Sequence, residues 1–315
     1  MLKLSCRRTE KATVIRVKNL FAKLPERTNK GDMGRLLVLC GSYDPKGASM
    51  CGAAYFCAAA AYRTGAGIVE IFTPRENYPA LATLVPESVF SLYGYEEETC
   101  AVTARLAEAI SRSDAVVIGC GLGKSALARE LVRVTLSSAA CPILIDADGL
   151  NIISEDEKIW SLLDEKQRAQ TVITPHPGEM SRLCGEPIVD ILSDTSKCAK
   201  SFAKKHGLIC LLKDHHTAIS DGERLYLNQS GNAGMASAGM GDLLAGIIGA
   251  LLARESKNNF GNSDVFECTA VGAYLHGLAG DLAAEKYGEY SVTASVVLSE
   301  IPAAIMRNFS NNTQN

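Results

Sequence analysis

The sequence lacks the features that are typical of membrane, secreted and nucleic-acid-binding proteins. Its 315 residues contain no run of eighteen uncharged apolar residues, so we expect no membrane-spanning helix and no membrane partner. Met1–Arg8 carries two arginines and a lysine but no apolar segment of useful length, which argues against a secretory signal. A net charge of −3 and only 6% aromatic residues provide neither a basic field nor a stacking platform, so we expect no nucleic-acid partner.

The eleven cysteines contain no C-x-x-C pair and are odd in number. Several lie within apolar segments or turns, among them Cys40, Cys120 and Cys210. We interpret them as reduced, buried small hydrophobic residues, which is typical of a cytoplasmic protein. Cys120 lies inside a glycine-rich loop and is therefore the cysteine to examine for reactivity, although a structural role is the favoured interpretation.

Short apolar segments alternate with segments of helical periodicity along most of the chain. With 47% apolar and 21% charged residues the chain can bury a large core. Most of the apolar segments are continuous rather than alternating, as strands buried on both faces should be. This pattern predicts an α/β fold with a mainly parallel sheet covered by helices on both faces. The predicted strands are Leu36–Cys40, Ile68–Thr73, Ser88–Leu92, Ala115–Gly119, Ile143–Asp146, Thr171–Thr174 and Leu208–Lys213.

The pattern changes after these strands. Asp221-Gly222 is a strong turn signal between Thr217–Ser220 and Arg224–Asn228, and it predicts an antiparallel ribbon at one edge of the sheet. The part of the chain from Asp242 onward is predicted to be nearly all helical. Its last two predicted helices are Asp264–Lys286 and Val292–Met306.

No repeat, low-complexity linker or long charge run marks a boundary within the chain. We therefore predict one domain over residues 25–307, preceded by an N-terminal extension of residues 1–24 and followed by a loose tail of residues 308–315. The segment Arg254–Asp264, rich in Asn, Lys and Ser, is also predicted to be loose.

The segment Gly231–Asp242 combines four glycines and one carboxylate directly ahead of the apolar run Leu243–Leu252. Glycines can turn backbone N–H groups toward an anion, and the N-terminus of the following helix adds unpaired donors and a positive dipole end. The segment therefore predicts a phosphate cradle, with Asp242 held ionised at the helix N-terminus as a general base must be. The alternative is that Asp242 only caps the helix and the glycines only permit close packing.

Other glycines and polar residues follow the predicted strands, where ligands of open parallel sheets bind. The clearest groups are Gly41–Asp44, Gly119–Gly123, Asp146–Gly149 and Pro175–Pro177. Each alone is compatible with a tight turn, and Gly119–Gly123 does not have the spacing of the dinucleotide-binding fingerprint. Their joint placement predicts a site at one edge of the sheet.

The histidines near the predicted site differ in the roles that the sequence indicates for them. His176 lies between two prolines that restrict its backbone, which suits a ligand-orienting group, although a structural role is the more common one for a single histidine. Glu179 either supplies a charge to a helix N-terminus or helps to hold a metal ion through water. His215 and His216 are adjacent, so on an extended segment they would point to opposite faces and could not form a metal pair.

Taken together, the motifs resemble the ADP- or ATP-dependent NAD(P)H-hydrate dehydratases of the ribokinase-like superfamily. The segment Asn232–Gly246 is similar to the signature of that family, and the resemblance covers roughly residues 25 to 305. The further matching segments, in the family's order, are Lys30-Gly31, Gly52–Ala54, Arg63–Gly67, Gly119–Gly123, Asp146–Leu150 and Thr174–Glu179.

The resemblance implies a ribokinase-like three-layer sandwich and a set of site residues. Asp242 would be the catalytic base and would also contact the substrate. The other implied substrate-binding residues are Ala54, Gly121, Gly123 and His176. The implied nucleotide-binding residues are Lys213, Asp214, His215, His216, Thr217, Gly239 and Gly241. No direct metal ligand is implied, and Glu179 is the candidate for a water-mediated one.

Asp214 departs from the family pattern, which carries glycine at this place in a Lys-Gly-x-x-Thr motif. A side chain and a negative charge are added where the nucleotide phosphates would approach the backbone. We therefore expect either a weaker nucleotide affinity or a rearranged loop.

The implied chemistry is the nucleotide-driven dehydration of NADHX or NADPHX to NADH or NADPH, with Mg²⁺ assisting. ADP is the expected co-substrate, because a free-standing dehydratase without an N-terminal epimerase domain resembles the ADP-using prokaryotic form. A separate epimerase protein is then the expected functional partner, and a homo-oligomer, such as a tetramer, is the expected assembly. Two alternatives stay open: a superfamily kinase acting on hydroxymethylpyrimidine or hydroxyethylthiazole, and a non-catalytic nucleotide sensor.

Overall fold

A computed structural model describes residues 20, 21, 23–258 and 264–310. Within these residues nine strands form one sheet in the order β3-β2-β1-β4-β5-β6-β7-β8-β9. The strands are β1 Arg35–Leu39, β2 Ile68–Pro74, β3 Val89–Tyr93, β4 Ala115–Ile118, β5 Ile143–Ile145, β6 Thr171–Ile173, β7 Ile209–Leu212, β8 Ala218–Ser220 and β9 Leu225–Leu227.

Strands β1 to β7 are parallel, whereas β8 and β9 are antiparallel to their neighbours. The continuous apolar segments and the Asp221-Gly222 turn are the physical basis of this division, because parallel strands are buried on both faces and a tight turn can only join antiparallel ones. The predicted α/β class, with its mainly parallel sheet, antiparallel edge and helical C-terminal part, is confirmed.

Twelve α-helices are present in the same described part of the chain. They are α1 Cys51–Thr64, α2 Tyr78–Leu84, α3 Thr99–Ser111, α4 Ala126–Ser138, α5 Asp148–Glu155, α6 Glu165–Ala169, α7 Pro177–Cys184, α8 Ile188–Ser193, α9 Thr195–His206, α10 Met240–Asn258, α11 Val265–Tyr287 and α12 Ala294–Ser310.

The helices cover both faces of the sheet and produce two cores. In β1, Leu36 and Val38 face a core formed with α1, α10, α11 and α12, whereas Leu37 and Leu39 face a core formed with α3, α4, α5, α7 and α9. All four side chains are fully buried, as the period of two in a strand requires when both faces are covered. The result is a three-layer arrangement of helices, sheet and helices.

The prediction that Arg254–Asp264 is loose is wrong in part. Helix α10 continues through Asn258, so the first residues of the predicted loose segment Arg254–Asp264 are helical. The reason is tertiary packing: Arg254 is buried, donates a hydrogen bond to the carbonyl oxygen of Leu20, and lies 4.8 Å from the ring centre of Phe21.

The predicted tail is likewise helical at its start, because α12 ends at Ser310. Residues 259–263 and 311–315, and most of the predicted extension 1–24, lie outside the described residues. The division into an extension, a domain and a tail stays a prediction. No described helix is long and apolar enough to cross a bilayer.

The strand order places a crevice at one edge of the sheet. Strand β1 pairs with β2 on one side and with β4 on the other. The chain therefore builds the sheet in one direction from β1 to β3 and in the other direction from β4 onward, and a crevice opens between the carboxyl ends of β1 and β4. The backbone N–H of Gly41, after β1, donates to the carbonyl oxygen of Cys120, after β4, at 2.9 Å. The same edge carries the ends of β5, β6 and β7, and the candidate site lies there.

Candidate functional site

A buried ion pair forms the centre of this edge. Lys213, directly after β7, places its Nζ 2.8 Å from Oδ1 of Asp146, directly after β5, and 3.9 Å from Oε2 of Glu179. The Asp146 and Glu179 side chains are almost completely buried. Burial works against the charge of Lys213, but the two carboxylates outweigh it and raise the pKa of the ammonium group. Lys213 is therefore a fixed positive charge at the edge of the sheet.

Asp242 is the third residue of α10 and is largely buried beside this pair. Burial raises the pKa of its carboxyl group to about 6, and the charge of Asp146 acts in the same direction, whereas a hydrogen bond from Cys120 and the charge of Lys213 oppose the rise. Burial and the second carboxylate thus act against the ionised form that the helix N-terminus favours, and the role of Asp242 as a base stays a prediction. A group with a pKa near 6 is still mostly ionised at neutral pH and is well matched to proton transfer there.

Because the pKa of Asp242 is raised to about 6, the rate of the reaction should depend on pH near this value. A base must be ionised to accept a proton, so kcat/KM of the proposed dehydration should fall as the pH is lowered through about 6, approaching tenfold per pH unit below it. A rate profile from pH 5 to 8, with the affinity for ADP measured over the same range to separate titration of the nucleotide, tests this. A kcat/KM that stays constant down to pH 5 would contradict it.

The glycines before Asp242 act in two different ways. Gly239 has φ +90°, a conformation that favours glycine, and it directly precedes the helix. The Gly241→Val argument from sequence assumed a positive φ at Gly241 as well, but this residue lies inside the first turn of α10 and does not have one, so that assumption is wrong. Its requirement is space: a Cβ at Gly241 would lie 3.3 Å from Oδ2 of Asp146 and 3.7 Å from Nζ of Lys213.

A cavity of about 660 Å³ opens beside the N-terminus of α10. This volume is in the range of small-molecule sites. The structure brings together in its wall six of the predicted site residues, which are His176, Lys213, Asp214, His215, Thr217 and Gly241. His216 and Gly239, also predicted to bind the nucleotide, are not among the residues that line it.

The pair His215 and His216 corrects a further expectation. The residues lie in a turn rather than on an extended segment, and their ring centres are only 4.3 Å apart instead of pointing to opposite faces. Among the described residues no group of three or more His, Cys, Asp or Glu side chains has the arrangement of a metal site. Both histidines are exposed, and His215 lines the cavity whereas His216 does not.

His176 and Glu179 together cap helix α7. Nδ1 of His176 accepts hydrogen bonds from the backbone N–H groups of Gly178 and Glu179, at 3.0 and 3.4 Å, and Oε2 of Glu179 accepts from the backbone N–H of His176 at 2.9 Å. The helix-terminal interpretation of Glu179 is confirmed. The His176 ring is about half exposed and faces the cavity, so its cap also fixes the orientation of a ligand-facing group.

The glycine loop after β4 lies against the start of α1. Gly121 and Gly123 have φ values of +61° and +74°, and a Cβ on Gly121 would lie 2.8 Å from Cβ of Met50. Ala54 is buried one turn into α1. A Cβ on Gly121 would also lie 3.0 Å from Cβ of Ala53, the neighbour of Ala54, so the glycine loop packs against the segment of α1 that contains this predicted substrate residue.

The sequence placed the segment Asp146–Gly149 in the predicted site but indicated no individual role for Asp146 or Asp148. Asp146 pairs with Lys213, and Oδ2 of Asp148 accepts the backbone N–H of Gly123 at 2.8 Å. Between them Ala147 has φ +48°, a strained conformation for alanine that aims the two carboxylates at different parts of the site. Their position directly after a buried strand is the sequence feature that indicates such roles.

Cys120 is fully buried and interacts with both Cys40 and Asp242. A hydrogen bond with Cys40 and burial raise the pKa of the Cys120 thiol well above its ordinary value. A thiol that stays protonated is a poor nucleophile, so the structural interpretation of this cysteine is favoured over a reactive one.

Asp214 is exposed at the cavity wall, and its carbonyl oxygen accepts a hydrogen bond from Oγ1 of Thr217 at 3.4 Å. Its carboxylate adds a negative charge where phosphates are expected, and solvent screens part of that charge. Asp214→Gly should therefore tighten the binding of ADP by at most ~1 kcal/mol. Calorimetric titration checks this, and Asp214→Asn, which removes only the charge, separates electrostatics from backbone freedom. Unchanged or weaker affinity in both variants would mean that Asp214 points away or makes a compensating contact.

The three layers and the strand order define a ribokinase-like α/β protein. A ribokinase-like superfamily protein of Enterococcus faecalis superposes with a TM-score of 0.79 at 25% identity, covering 96% of this chain and 99% of that one. The model of the NAD(P)H-hydrate dehydratase family matches residues 36–303, and the chain belongs to this family.

Individual relatives agree with this assignment. The chain is 33% identical over 303 residues to the ADP-dependent (S)-NAD(P)H-hydrate dehydratase of Neisseria meningitidis, covering 95% of this chain and 93% of that protein. The ADP/ATP-dependent NAD(P)H-hydrate dehydratase of Bacillus subtilis, co-crystallized with ATP/Mg²⁺, superposes with a TM-score of 0.73 at 25% identity, covering 91% and 94% of the two chains. The chain spans about half the length of the bifunctional NAD(P)H-hydrate repair enzymes that it also matches.

Proposed function

We propose that this protein uses ADP to dehydrate the hydrated nicotinamide nucleotides NADHX and NADPHX back to NADH and NADPH. Hydroxide is a poor leaving group, so the hydroxyl group is first phosphorylated. The C–O bond then breaks with its electron pair leaving on phosphate, and loss of a proton from the neighbouring ring carbon restores the conjugated ring. The co-products are AMP and phosphate. A phosphoryl-transfer site can thereby carry out a lyase reaction.

The observation that carries the proposal is the position of Asp242. Its carboxylate lies in the first turn of α10, where it interacts with Asp146, Lys213 and Cys120 of the glycine loop after β4, and the preceding residue Gly241 lines the cavity. A nucleotide bound in the cavity would present its terminal phosphoryl group to the helix N-terminus. A hydroxyl group bound near Gly121 would then lie between this phosphoryl group and the base.

Each group has a distinct task in this proposal. Asp242 accepts the proton of the attacking hydroxyl group. The N–H groups at the start of α10 and the ammonium group of Lys213 stabilise the charge that develops on the transferred phosphoryl oxygens. Ala54, Gly121, Gly123 and His176 hold the substrate, and Lys213, Asp214, His215, His216, Thr217, Gly239 and Gly241 hold the nucleotide.

The charges at the site fit a magnesium ion. The carboxylates of Asp146 and Glu179 lie within 3.9 Å of one ammonium group, and that of Asp242 interacts electrostatically with it, so three carboxylates share one cation and a divalent cation would balance the excess negative charge. We propose that such an ion is held mainly by nucleotide phosphates and water, with Glu179 as a water-mediated contact. When bound, Mg²⁺ would neutralise phosphate charge.

The alternatives receive less support. A superfamily kinase for hydroxymethylpyrimidine or hydroxyethylthiazole would share the fold and the cradle, but the family match favours the dehydratase. A non-catalytic sensor would not need a buried carboxylate at the phosphoryl end. The homo-oligomer, such as a tetramer, the separate epimerase partner and the cytoplasmic location stay predictions.

The nucleotide choice gives the decisive test. Purified protein incubated with NADHX and Mg²⁺ should restore the absorbance of reduced nicotinamide when ADP is added, and AMP and phosphate should appear. ADP and ATP differ by one phosphate unit, so the adenosine must bind at a different distance from the reacting hydroxyl group in each case. Only one of these positions can place the terminal phosphorus in line with the hydroxyl group, so one nucleotide should be preferred. Chromatography of the products distinguishes the choices. ADP formed from ATP faster than AMP from ADP would reverse the nucleotide preference, and no absorbance with either nucleotide would remove the dehydratase proposal.

A further inference from the structure

Asp148 holds both ends of the glycine loop Gly119–Gly123, although the proposed reaction gives this residue no task. Its backbone N–H donates to the carbonyl oxygen of Gly119 at 3.2 Å, and its Oδ2 accepts the backbone N–H of Gly123 at 2.8 Å. A hydrogen bond to a carboxylate is stronger than one between neutral groups. One residue at the start of α5 therefore fixes the shape of the loop that is proposed to hold the substrate.

The backbone directly before Asp148 is strained. Ala147 has φ +48° and ψ −115°, a conformation that costs free energy in alanine and persists only where the surrounding structure enforces it. The packing at this point is close, since a Cβ on Gly119 would overlap the carbonyl oxygen of Asp146. Strain of this kind is concentrated at functional sites, where the fold must hold a side chain in one position. Here the side chain that is held is the carboxylate of Asp148, which faces Gly123.

A chain of side-chain hydrogen bonds continues from Asp148 to α7. Oδ1 of Asp148 accepts from Nδ2 of Asn151 at 3.5 Å, and Oδ1 of Asn151 accepts from Nε of Arg182 at 2.9 Å. Arg182 belongs to α7, the helix that the cavity residue His176 caps. The chain therefore connects the glycine loop to the helix that follows another proposed substrate residue.

We propose that Asp148 is a positioning residue for the dehydration, because its carboxylate holds the N–H of Gly123 and so keeps the glycine loop in the shape that binds the hydrated nicotinamide nucleotide. The inference rests on the proposed function, which assigns substrate binding to Gly123 and His176. Asp148 acts through the loop and does not touch the reacting atoms. A loop that is already held in one shape loses little conformational freedom when the substrate binds. Removal of the carboxylate should therefore weaken substrate binding more than nucleotide binding or turnover.

Calorimetric titration of the full chain with NADHX in the absence of nucleotide, together with turnover assays in ADP and Mg²⁺, tests the proposal. Asp148→Ala should raise the Kd and the KM for NADHX about tenfold, the scale of one lost hydrogen bond to a charged group, while kcat and the Kd for ADP stay within about twofold. The backbone N–H of residue 148 is unchanged in this variant, so the bond to Gly119 should keep the other end of the loop in place.

Further variants separate the position of the carboxylate from its charge. Asp148→Asn keeps an oxygen that can accept the N–H of Gly123 and should retain most of the affinity for NADHX. Asp148→Glu keeps the charge but moves the carboxylate by one methylene group, and it should behave like the alanine variant. These two variants decide the matter if the alanine variant does not fold. Asn151→Ala leaves the contact with Gly123 in place and should cause a smaller loss.

Asp156→Ala is the matched control. Asp156 directly follows α5, and its carboxylate also accepts a backbone N–H, from Lys158 at 3.2 Å, but it pairs with Arg133 and not with the glycine loop. This variant should leave the affinities for NADHX and ADP unchanged.

Two results would overturn the inference. One is a folded Asp148→Ala or Asp148→Glu variant whose affinity for NADHX is within about twofold of that of the wild type. The other is an equal loss of affinity for ADP, which would indicate a general disturbance of the fold. A wild-type protein that binds no NADHX would overturn the proposed function itself, so the two failures are distinguishable.

Discussion

Asp242→Asn should lower kcat of the dehydration by at least ~10²-fold, the scale expected when a general base is removed, while ADP still binds. The asparagine has nearly the same shape but cannot accept the proton of the hydroxyl group. The fold should persist, because the ionised carboxylate is itself unfavourable where it lies: burial and Asp146 raise its pKa above the ordinary value, so at neutral pH its charge costs stability. The thermal midpoint of the variant should therefore equal or exceed that of the wild type.

Single-turnover measurements with NADHX, together with calorimetry for ADP, separate these effects. Asp190→Asn is the matched control, since Asp190 is an exposed residue of α8, and it should leave the turnover unchanged. If Asp242→Asn kept the turnover of the wild type, Asp242 would lose the role of base and the helix-cap alternative would take its place.

Gly241→Val should reduce turnover by about 10²-fold or more, with a smaller effect on the binding of NADHX. The expected loss comes from steric overlap with neighbouring side chains and not from the backbone φ angle of Gly241. A Cβ at this position would already lie 3.3 Å from Oδ2 of Asp146 and 3.7 Å from Nζ of Lys213, and the branched side chain would occupy the path of the phosphoryl group. It would also displace the ion pair that fixes the positive charge of the site.

Gly241→Ala is the graded control, because its single methyl group requires a shift of only a few tenths of an ångström. It should lose less turnover than the valine variant. Calorimetry with ADP and turnover assays on both variants measure the difference. Nucleotide binding and turnover that both survive the valine substitution would mean that the phosphate cradle has been misplaced.

The part of the site that could be predicted from the sequence is the part that local patterns encode. Gly239 and Asp242 precede the apolar run Leu243–Leu252. Lys213 and His176 each follow a buried strand, so their placement at one edge of the sheet follows from the direction of parallel strands. The behaviour of His215 and His216 was mispredicted, because a turn replaced the extended segment that the argument assumed.

The sequence by itself determined the α/β class, the antiparallel edge and the candidacy of Asp242, since periodicity, turn chemistry and glycine placement act over short distances. Only the tertiary structure decided that Lys213 pairs with Asp146, 67 residues away, that the pKa of Asp242 rises to about 6, and that Asp148 holds both ends of the glycine loop. These properties depend on burial and on charges contributed by different strands and helices. Desolvation and Coulomb interactions arise only when the fold brings those groups together.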